Sequence, residues 1–403
     1  MKDFLKNNLN LIAFGIILTF FSSFGQTFLL SLYVPSIEKF LQISNTQFGS
    51  IYAIATLSSG LTLPWAGGYF DKIPTRYYSL IVILGLSLML LLLSFSYHVI
   101  MVVIAFYGLR LFGQGLMGHT SISTMAKYFE RHRGKAISLA SLGYPAGEAI
   151  LPIIISFLIL SFGWRGALRL SAVSSFLVLA PLSFWLLNRS ERVMHKSGNA
   201  AKIGKPQIKK INIARELRNR NFWVITPIAF MLGFANTALF FFQLKLGAAK
   251  GWSPAWVASS ISFYALANAL GMLGVGSLVD RWSGRKLFPY FLVPYLLGLL
   301  VLILFRHPLI YPLALALMGV GSGAGSTIRS AMVAEIYGVK VIGQIRSIFT
   351  TVMVLSTSVG PLAFGILLDL ELSFSVIFSL VFLAMLAAGI NGLRRTKIQA
   401  SEA

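Results

Sequence analysis

Gly276-Ser277-Leu278-Val279-Asp280-Arg281-Trp282-Ser283-Gly284-Arg285-Lys286 stands between two long apolar runs. About 209 residues earlier, between two other apolar runs, Gly67-Gly68-Tyr69-Phe70-Asp71-Lys72-Ile73-Pro74-Thr75-Arg76 keeps the same Gly, Asp and distal Arg. The correspondence extends in both directions. Gly134, Ser138 and Pro152 recur as Gly343, Ser347 and Pro361. With the offset slipping by one, Phe24-Gly25-Gln26-Thr27 matches Phe234-Ala235-Asn236-Thr237, and Gly113-x-Gly115 matches Gly321-x-Gly323. Matches that run in chain order describe a duplicated unit. Two like-oriented membrane halves imply a pseudo-twofold along the membrane normal, with a site between them near the midplane.

Composition says that the halves lie in a membrane. Of 403 residues, 56% are hydrophobic and 11% charged, whereas soluble domains carry about a quarter charged residues. An ordinary soluble enzyme is excluded. Yet the net charge is +22, from 34 Lys and Arg against 12 Asp and Glu, a balance that alone suggests a nucleic-acid binder. The two facts agree if the charge is segregated from the apolar mass. At about 20 apolar residues per span, the pattern predicts helices near 9–34, 45–63, 77–95, 99–126, 136–160, 166–187, 222–245, 254–279, 287–305, 308–334, 343–367 and 374–393. The expected fold is an all-α membrane protein, twelve transmembrane helices as two pseudo-symmetric six-helix bundles. The bundles occupy 1–188 and 221–403, with a basic linker at 189–220. The first helix has no small-residue cleavage site after it and reads as a retained span. Cysteine is absent, which excludes disulfides and thiolate sites.

Charge bias orients the spans. One side collects 27 Lys and Arg and the other six, with Arg110 left inside a span. By the positive-inside rule the first side is cytoplasmic, with both termini there. The reading is a multi-pass protein of a plasma (bacterial inner) membrane, monomeric, its basic face attracted to anionic lipid. Nucleic acid is not needed to explain the charge. Within the linker, Ile211–Arg220 reads as a short amphipathic interfacial helix.

The loop at Gly276 resembles the Gly-x-x-x-Asp-Arg-x-Gly-Arg-Lys motif of major facilitator superfamily transporters, with one extra residue. The copy at Gly67 has Pro74 and Thr75 where Gly and Arg usually stand. The resemblance covers nearly the whole chain and implies a transporter that alternates access between its halves. It makes Gly67, Asp71, Arg76, Gly276, Asp280, Arg281 and Arg285 a conformational latch. Physically, the Gly permits close helix approach, the Asp caps a helix N-terminus, and the bases pair with acids. Arg110-x-x-Gly113-x-Gly115, followed by Tyr128-Phe129-x-Arg131-His132-Arg133, resembles the monocarboxylate and oxalate–formate branch. Gly143-x-x-x-Gly147 is half of an antiporter-associated motif, continued by Glu148 and Ala149 in place of Pro.

Charges inside spans are rare and cost several kcal/mol each. Arg110 lies about 16 Å into its predicted helix at 1.5 Å per residue, and Glu148 sits at similar depth in the next. The two are expected to pair. One reading is a permanent structural ion pair. The other is that Arg110 grips an anionic substrate in a bidentate fork, releasing Glu148 to take up a proton. Efflux of an amphipathic cation would instead need Glu148 exposed and Arg110 hidden. Arg329 either lines the inner mouth as a second cation or snorkels outward towards Glu335. His119 reads as a hydrogen-bonded packing residue. Gln26, Tyr144, Asn236, Thr237, Tyr264 and Asn268 are polar residues near the midplane, suited to a small solute or to interhelical hydrogen bonds. No nucleotide loop, metal-ligand spacing or catalytic triad appears, so no cofactor is expected. The favoured function is secondary transport of a small organic anion with proton symport. Proton-coupled drug or metabolite efflux, or a non-transporting membrane sensor or scaffold, are the alternatives.

Overall fold

The computed structural model describes residues 2–129, 132–196, 220–337 and 342–401. Residues 130 and 131 of the basic run and 197–219 of the linker, with nearly all of the amphipathic segment, lie outside the described residues. Every regular element among those described is helical. Among the described residues, eight helical stretches are long and apolar enough to cross a membrane, and a bent pair at 225–250 makes a ninth. One of the eight, 133–188, runs 56 residues. Straight, it would be about 84 Å long at 1.5 Å per residue, far beyond a hydrocarbon core of about 30 Å. Gly163, at φ +68°, breaks it, because only Gly enters that backbone region without strain.

The chain divides into two compact units, Met1–Ile43 with Ser50–Lys205 and Ser44–Gly49 with Pro206–Ala403. The first begins with α1 (Lys2–Phe21), a 3₁₀ turn (Ser22–Gly25), α2 (Thr27–Leu30) and α3 (Val34–Leu41). Then come α4 (Asn45–Gly67), whose first residues count with the second unit, α5 (Thr75–Ser94) and α6 (Val99–Gly108). A π-helical stretch (Leu109–Met117) leads into α7 (Gly118–Tyr128), followed by α8 (Arg133–Ser141), α9 (Gly143–Ser174) and α10 (Ala180–Lys196). The second unit holds α11 (Arg220–Phe241), α12 (Gln243–Lys250), α13 (Pro254–Trp282), α14 (Gly284–Leu287), α15 (Leu292–Leu304), α16 (Ile310–Tyr337), α17 (Ile342–Asp369) and α18 (Phe374–Ser401).

Two predicted helices are not continuous. The helix expected at 9–34 is interrupted at Gln26, whose backbone is extended (φ −86°, ψ 149°). The one expected at 222–245 bends by 62° between α11 and α12. Hydropathy does not register either event, because apolar residues flank both.

In the first unit α9 packs on α1. A Cβ on Gly143 would stand 2.1 Å from Ile16 O, and one on Gly147 would stand 2.7 Å from Phe20 O. The Gly-x-x-x-Gly run therefore acts as a helix-packing seam. Arg165 closes the end of α5. Its Nε donates to Ser94 O (3.2 Å) and its Nη2 to Ser96 O (3.0 Å), while the guanidinium stacks on Phe40, Tyr97 and Trp164. Lys250 does the same for α15 in the second unit, donating to Leu302 O and Phe305 O. Both cations satisfy carbonyls that a helix end leaves without partners. Also in the second unit, Asp369 accepts from the Asn45 and Thr46 backbone N–H groups (3.1 and 2.8 Å) at the first turn of α4.

Candidate functional site

The break in the first transmembrane run and the π-helical stretch face each other. A Cβ on Gly25 would come within 2.3 Å of both Leu109 O and Gln114 N, and one on Gly113 within 2.7 Å of Gly25 N. Only glycines permit this backbone contact. The turn ending at Gly25 leaves its carbonyl pointing at the π stretch, and π-helical segments are frequent at functional sites.

Arg110, on that stretch, is 4% exposed. Its Nη1 donates to Gly25 O (3.3 Å) and, at the edge of bonding distance, to Thr27 Oγ1 (3.5 Å). The guanidinium lies over the Tyr52 ring, 5.0 Å from its centroid. The Tyr52 hydroxyl and Thr27 Oγ1 share a 2.5 Å hydrogen bond. Arg110 Nε is buried without a partner. Among the described residues no carboxylate pairs with Arg110. One neutral carbonyl and one aromatic face return only part of the cost of burying a cation.

The expected Arg110–Glu148 pair is therefore not formed. The guanidinium is turned to the broken helix, because the break supplies a free carbonyl that an unbroken helix would have used. Glu148 is half-buried and has no hydrogen-bond or ion-pair partner among the described residues. One turn away on α9, half-buried Tyr144 lies against Gly118 of α7, where a Cβ would be 2.3 Å from its Oη. Gln26 is half-buried at the break, its side chain without a partner among the described residues. The structure thus gathers Arg110 and Gln26 with Thr27, which the sequence marks only as part of the repeat, and with Tyr52. No signal in the sequence marked Tyr52, an aromatic in an apolar helix.

In the second unit Asn236 is paired at both ends of its amide. Asn236 Nδ2 donates to Ser322 Oγ (3.1 Å), and the Tyr295 hydroxyl donates to Asn236 Oδ1 (3.0 Å). Thr237 is buried. Tyr264 is buried edge-on against Phe240 at 4.9 Å. Asn268 is half-buried, and its backbone packs on α16, where a Cβ on Gly323 would meet Asn268 O at 2.0 Å. Arg329 does not snorkel to Glu335. Its Nε donates to Gly325 O (3.0 Å), one turn back along its own helix.

Glu335 is occupied elsewhere. Its Oε1 accepts from Gly284 N (2.7 Å) and its Oε2 from Arg285 N (3.2 Å), while its own carbonyl accepts from Arg285 Nη2 (3.4 Å). This holds the second motif loop onto α16. The close approach is made by Gly284, where a Cβ would stand 2.7 Å from Met332 N, whereas a Cβ on Gly276 would meet nothing within 4 Å. Asp280 and Arg281 are exposed. The extra residue of the motif, Ser283, sits at φ +72°. In the first copy Asp71 is exposed, half-buried Arg76 stacks over Tyr77 (4.8 Å), and Gly67 faces the His119 ring.

Eight or nine helical stretches able to cross a membrane, among the described residues, define the class as a multi-pass membrane protein. The Major Facilitator Superfamily profile matches residues 15–361 and again 245–400. The chain belongs to that superfamily. It is 25% identical over 266 residues to the MFS transporter asaE of Aspergillus flavus, covering 63% of this chain and 56% of that protein. It is 24% identical over 326 residues to human Monocarboxylate transporter 12 (71% and 62%). The chain thus spans less than two thirds of the length of these two relatives. It is also 24% identical over 314 residues to a probable hexose phosphate transport protein of Chlamydia pneumoniae (72% and 67%). Two solved structures share the fold. One is the nucleoside transporter NupG (TM-score 0.71, 11% identity, 96% of this chain and 98% of that one). The other is a bacterial homolog of the human lysosomal transporter Spinster, inward-facing and occupied (0.68, 14%, 96% of each). The family and these neighbours are transporters, not enzymes.

Proposed function

We propose that the protein is a secondary active transporter that carries a small organic anion, such as a monocarboxylate, by alternating access with proton symport. The observation that carries this is Arg110, a buried cation with no carboxylate partner among the described residues. A substrate carboxylate supplies the missing charge, and Arg110 presents a planar fork that matches it. Gln26 and Tyr144 orient the anion's body from the same unit. Asn236, Thr237, Tyr264, Asn268 and Arg329 are the candidate solute contacts within the second unit. Two relatives whose names specify monocarboxylate and hexose phosphate support an anionic substrate. Glu148, alone and half-buried, is the proton carrier. The reading includes twelve helices in two pseudo-symmetric bundles, 1–188 and 221–403, a linker at 189–220, and a monomer in a bacterial inner membrane. Both termini lie on the cytoplasmic side, beside anionic lipid. The motif residues serve as the conformational latch.

A second reading has its own observation. Glu148 is the more accessible of the two mid-span charges, which suits an antiporter that exchanges protons for an amphipathic cation. Proteoliposomes separate the two. With lactate and formate as probes, an inward proton gradient drives accumulation in the symport reading. Glu148→Gln is expected to abolish that accumulation while counterflow persists. Accumulation that survives unchanged in Glu148→Gln would refute the coupling, and cation uptake against an outward proton flux would establish the second reading.

A further inference from the structure

The two copies of the repeat treat one place in the fold in opposite ways. At the offset that aligns Gly113 with Gly321, Glu335 falls on Lys127, and at the offset that aligns Gly67 with Gly276, Gly284 falls on Thr75. In the second unit Gly284 lets the loop press on α16, and the Glu335 carboxylate holds it there. In the first unit the side chain at the Gly position is Thr75, and the carboxylate is replaced by a cation whose Nζ lies 3.5 Å from Thr75 Oγ1. Where Glu335 accepts from two backbone N–H groups in the second unit, the first has an open cleft of about 630 Å³ between the end of α4, the end of α7 and the start of α8.

The cleft is lined by Lys127, Arg133, His119, Ser123 and Asp71, with Phe70 among its apolar walls. Arg133 uses only Nε, on Ala126 O (3.1 Å), so among the described residues its other four N–H donors have no partner. Lys127 lies 5.4 Å from the Phe70 ring centroid. His119 stands edge-on to the same ring at 5.9 Å. Its Nδ1 is buried without a partner, and its Nε2 has only a long contact to Ser123 Oγ (3.4 Å). Lys127 and Arg133 outnumber the single exposed carboxylate, Asp71, in the lining. The volume falls in the range of small-molecule sites, roughly 300–1,000 Å³.

We propose that this cleft is a second anion site, separate from Arg110, which binds a monoanionic carboxylate with a small apolar body from the side of the basic loops. Lys127 and Arg133 hold the carboxylate, replacing what Glu335 supplies internally in the other unit, and the Phe70 wall takes the apolar part. The site does not depend on the role given to Arg110.

The test uses the full-length protein in detergent with benzoate as probe and benzamide as its neutral counterpart. Titrations in an Arg110→Gln background silence the deeper cation. Saturable benzoate binding is expected to remain there, to exceed benzamide binding at least about tenfold, and to weaken at least about tenfold when Lys127→Gln and Arg133→Gln are added. In the unsubstituted chain carrying ¹³C-labelled histidine, benzoate is expected to shift the His119 resonance, assigned by its loss in His119→Gln. This readout stands even if a multiple variant does not fold. The proposal is overturned if benzoate leaves the His119 signal unmoved, if its binding ignores Lys127→Gln and Arg133→Gln, or if benzamide binds equally. It is also overturned if only phosphatidylglycerol nanodiscs shift the signal, which makes the cleft a lipid-headgroup site. Failure of the Arg110 reading is seen separately, as carboxylate transport that survives Arg110→Gln.

Discussion

In the second unit, Asn236 has a partner at each end of its amide, and Glu335 holds a loop by two backbone N–H groups. The first unit leaves equivalent chemistry open: Arg110 Nε and His119 Nδ1 are buried without partners, Glu148 has none among the described residues, and the place of Glu335 is taken by Lys127 beside a cleft. Unpaired buried polar groups cost stability, about 1–3 kcal/mol each and more when charged. Such groups are where a ligand gains most by binding, because it supplies the missing partner. At these places the second unit pairs its own polar groups, while the first offers binding chemistry.

This contrast can be broken experimentally. The largest effect is expected from Arg110→Gln, which removes the open cation. Carboxylate uptake into proteoliposomes should fall at least about 100-fold, equivalent to roughly 3 kcal/mol, and uptake near that of the unsubstituted protein would remove Arg110 from the site. Next is Glu335→Gln, which opens in the second unit what is already open in the first. The loop loses its charge-assisted acceptor, so thermal unfolding should show a loss of about 1 kcal/mol. An unchanged melting curve would mean that Gly284 packing alone holds the loop. Tyr295→Phe should cost about 1 kcal/mol by leaving Asn236 Oδ1 without its tyrosine donor, read as a lowered midpoint in thermal unfolding. The smallest effect is a gain. Ser283→Gly relieves a non-glycine residue at φ +72°, ψ 153°, and should raise stability by about 0.5–1 kcal/mol net of the backbone entropy that glycine adds.

The helices were legible because a bilayer imposes a strong rule: a span must be long, apolar and internally hydrogen-bonded. Charge in the chain was legible for the same reason, since Arg110 and Glu148 stand out against an apolar background. Their partners were not. Depth along a helix follows from residue count, but the direction of a side chain does not, so Arg110 was expected to meet Glu148 and meets Gly25 and Thr27 instead. Likewise Arg329 turns back to Gly325, and Glu335 serves the motif loop. Tyr52 and Tyr295 carried no mark in the sequence, since an aromatic residue in an apolar run is ordinary until its hydroxyl is seen to meet a partner.

The sequence by itself determined the membrane class and the family, because hydropathy and motif spacing are written along one dimension. Only the tertiary structure decided where the first run breaks, which backbones touch at Gly25 and Gly113, and which charges remain without partners. Those depend on which residues from distant helices share a small volume, and a glycine on which a Cβ would stand 2.3 Å from neighbouring backbone atoms looks no different in sequence from one that faces open space.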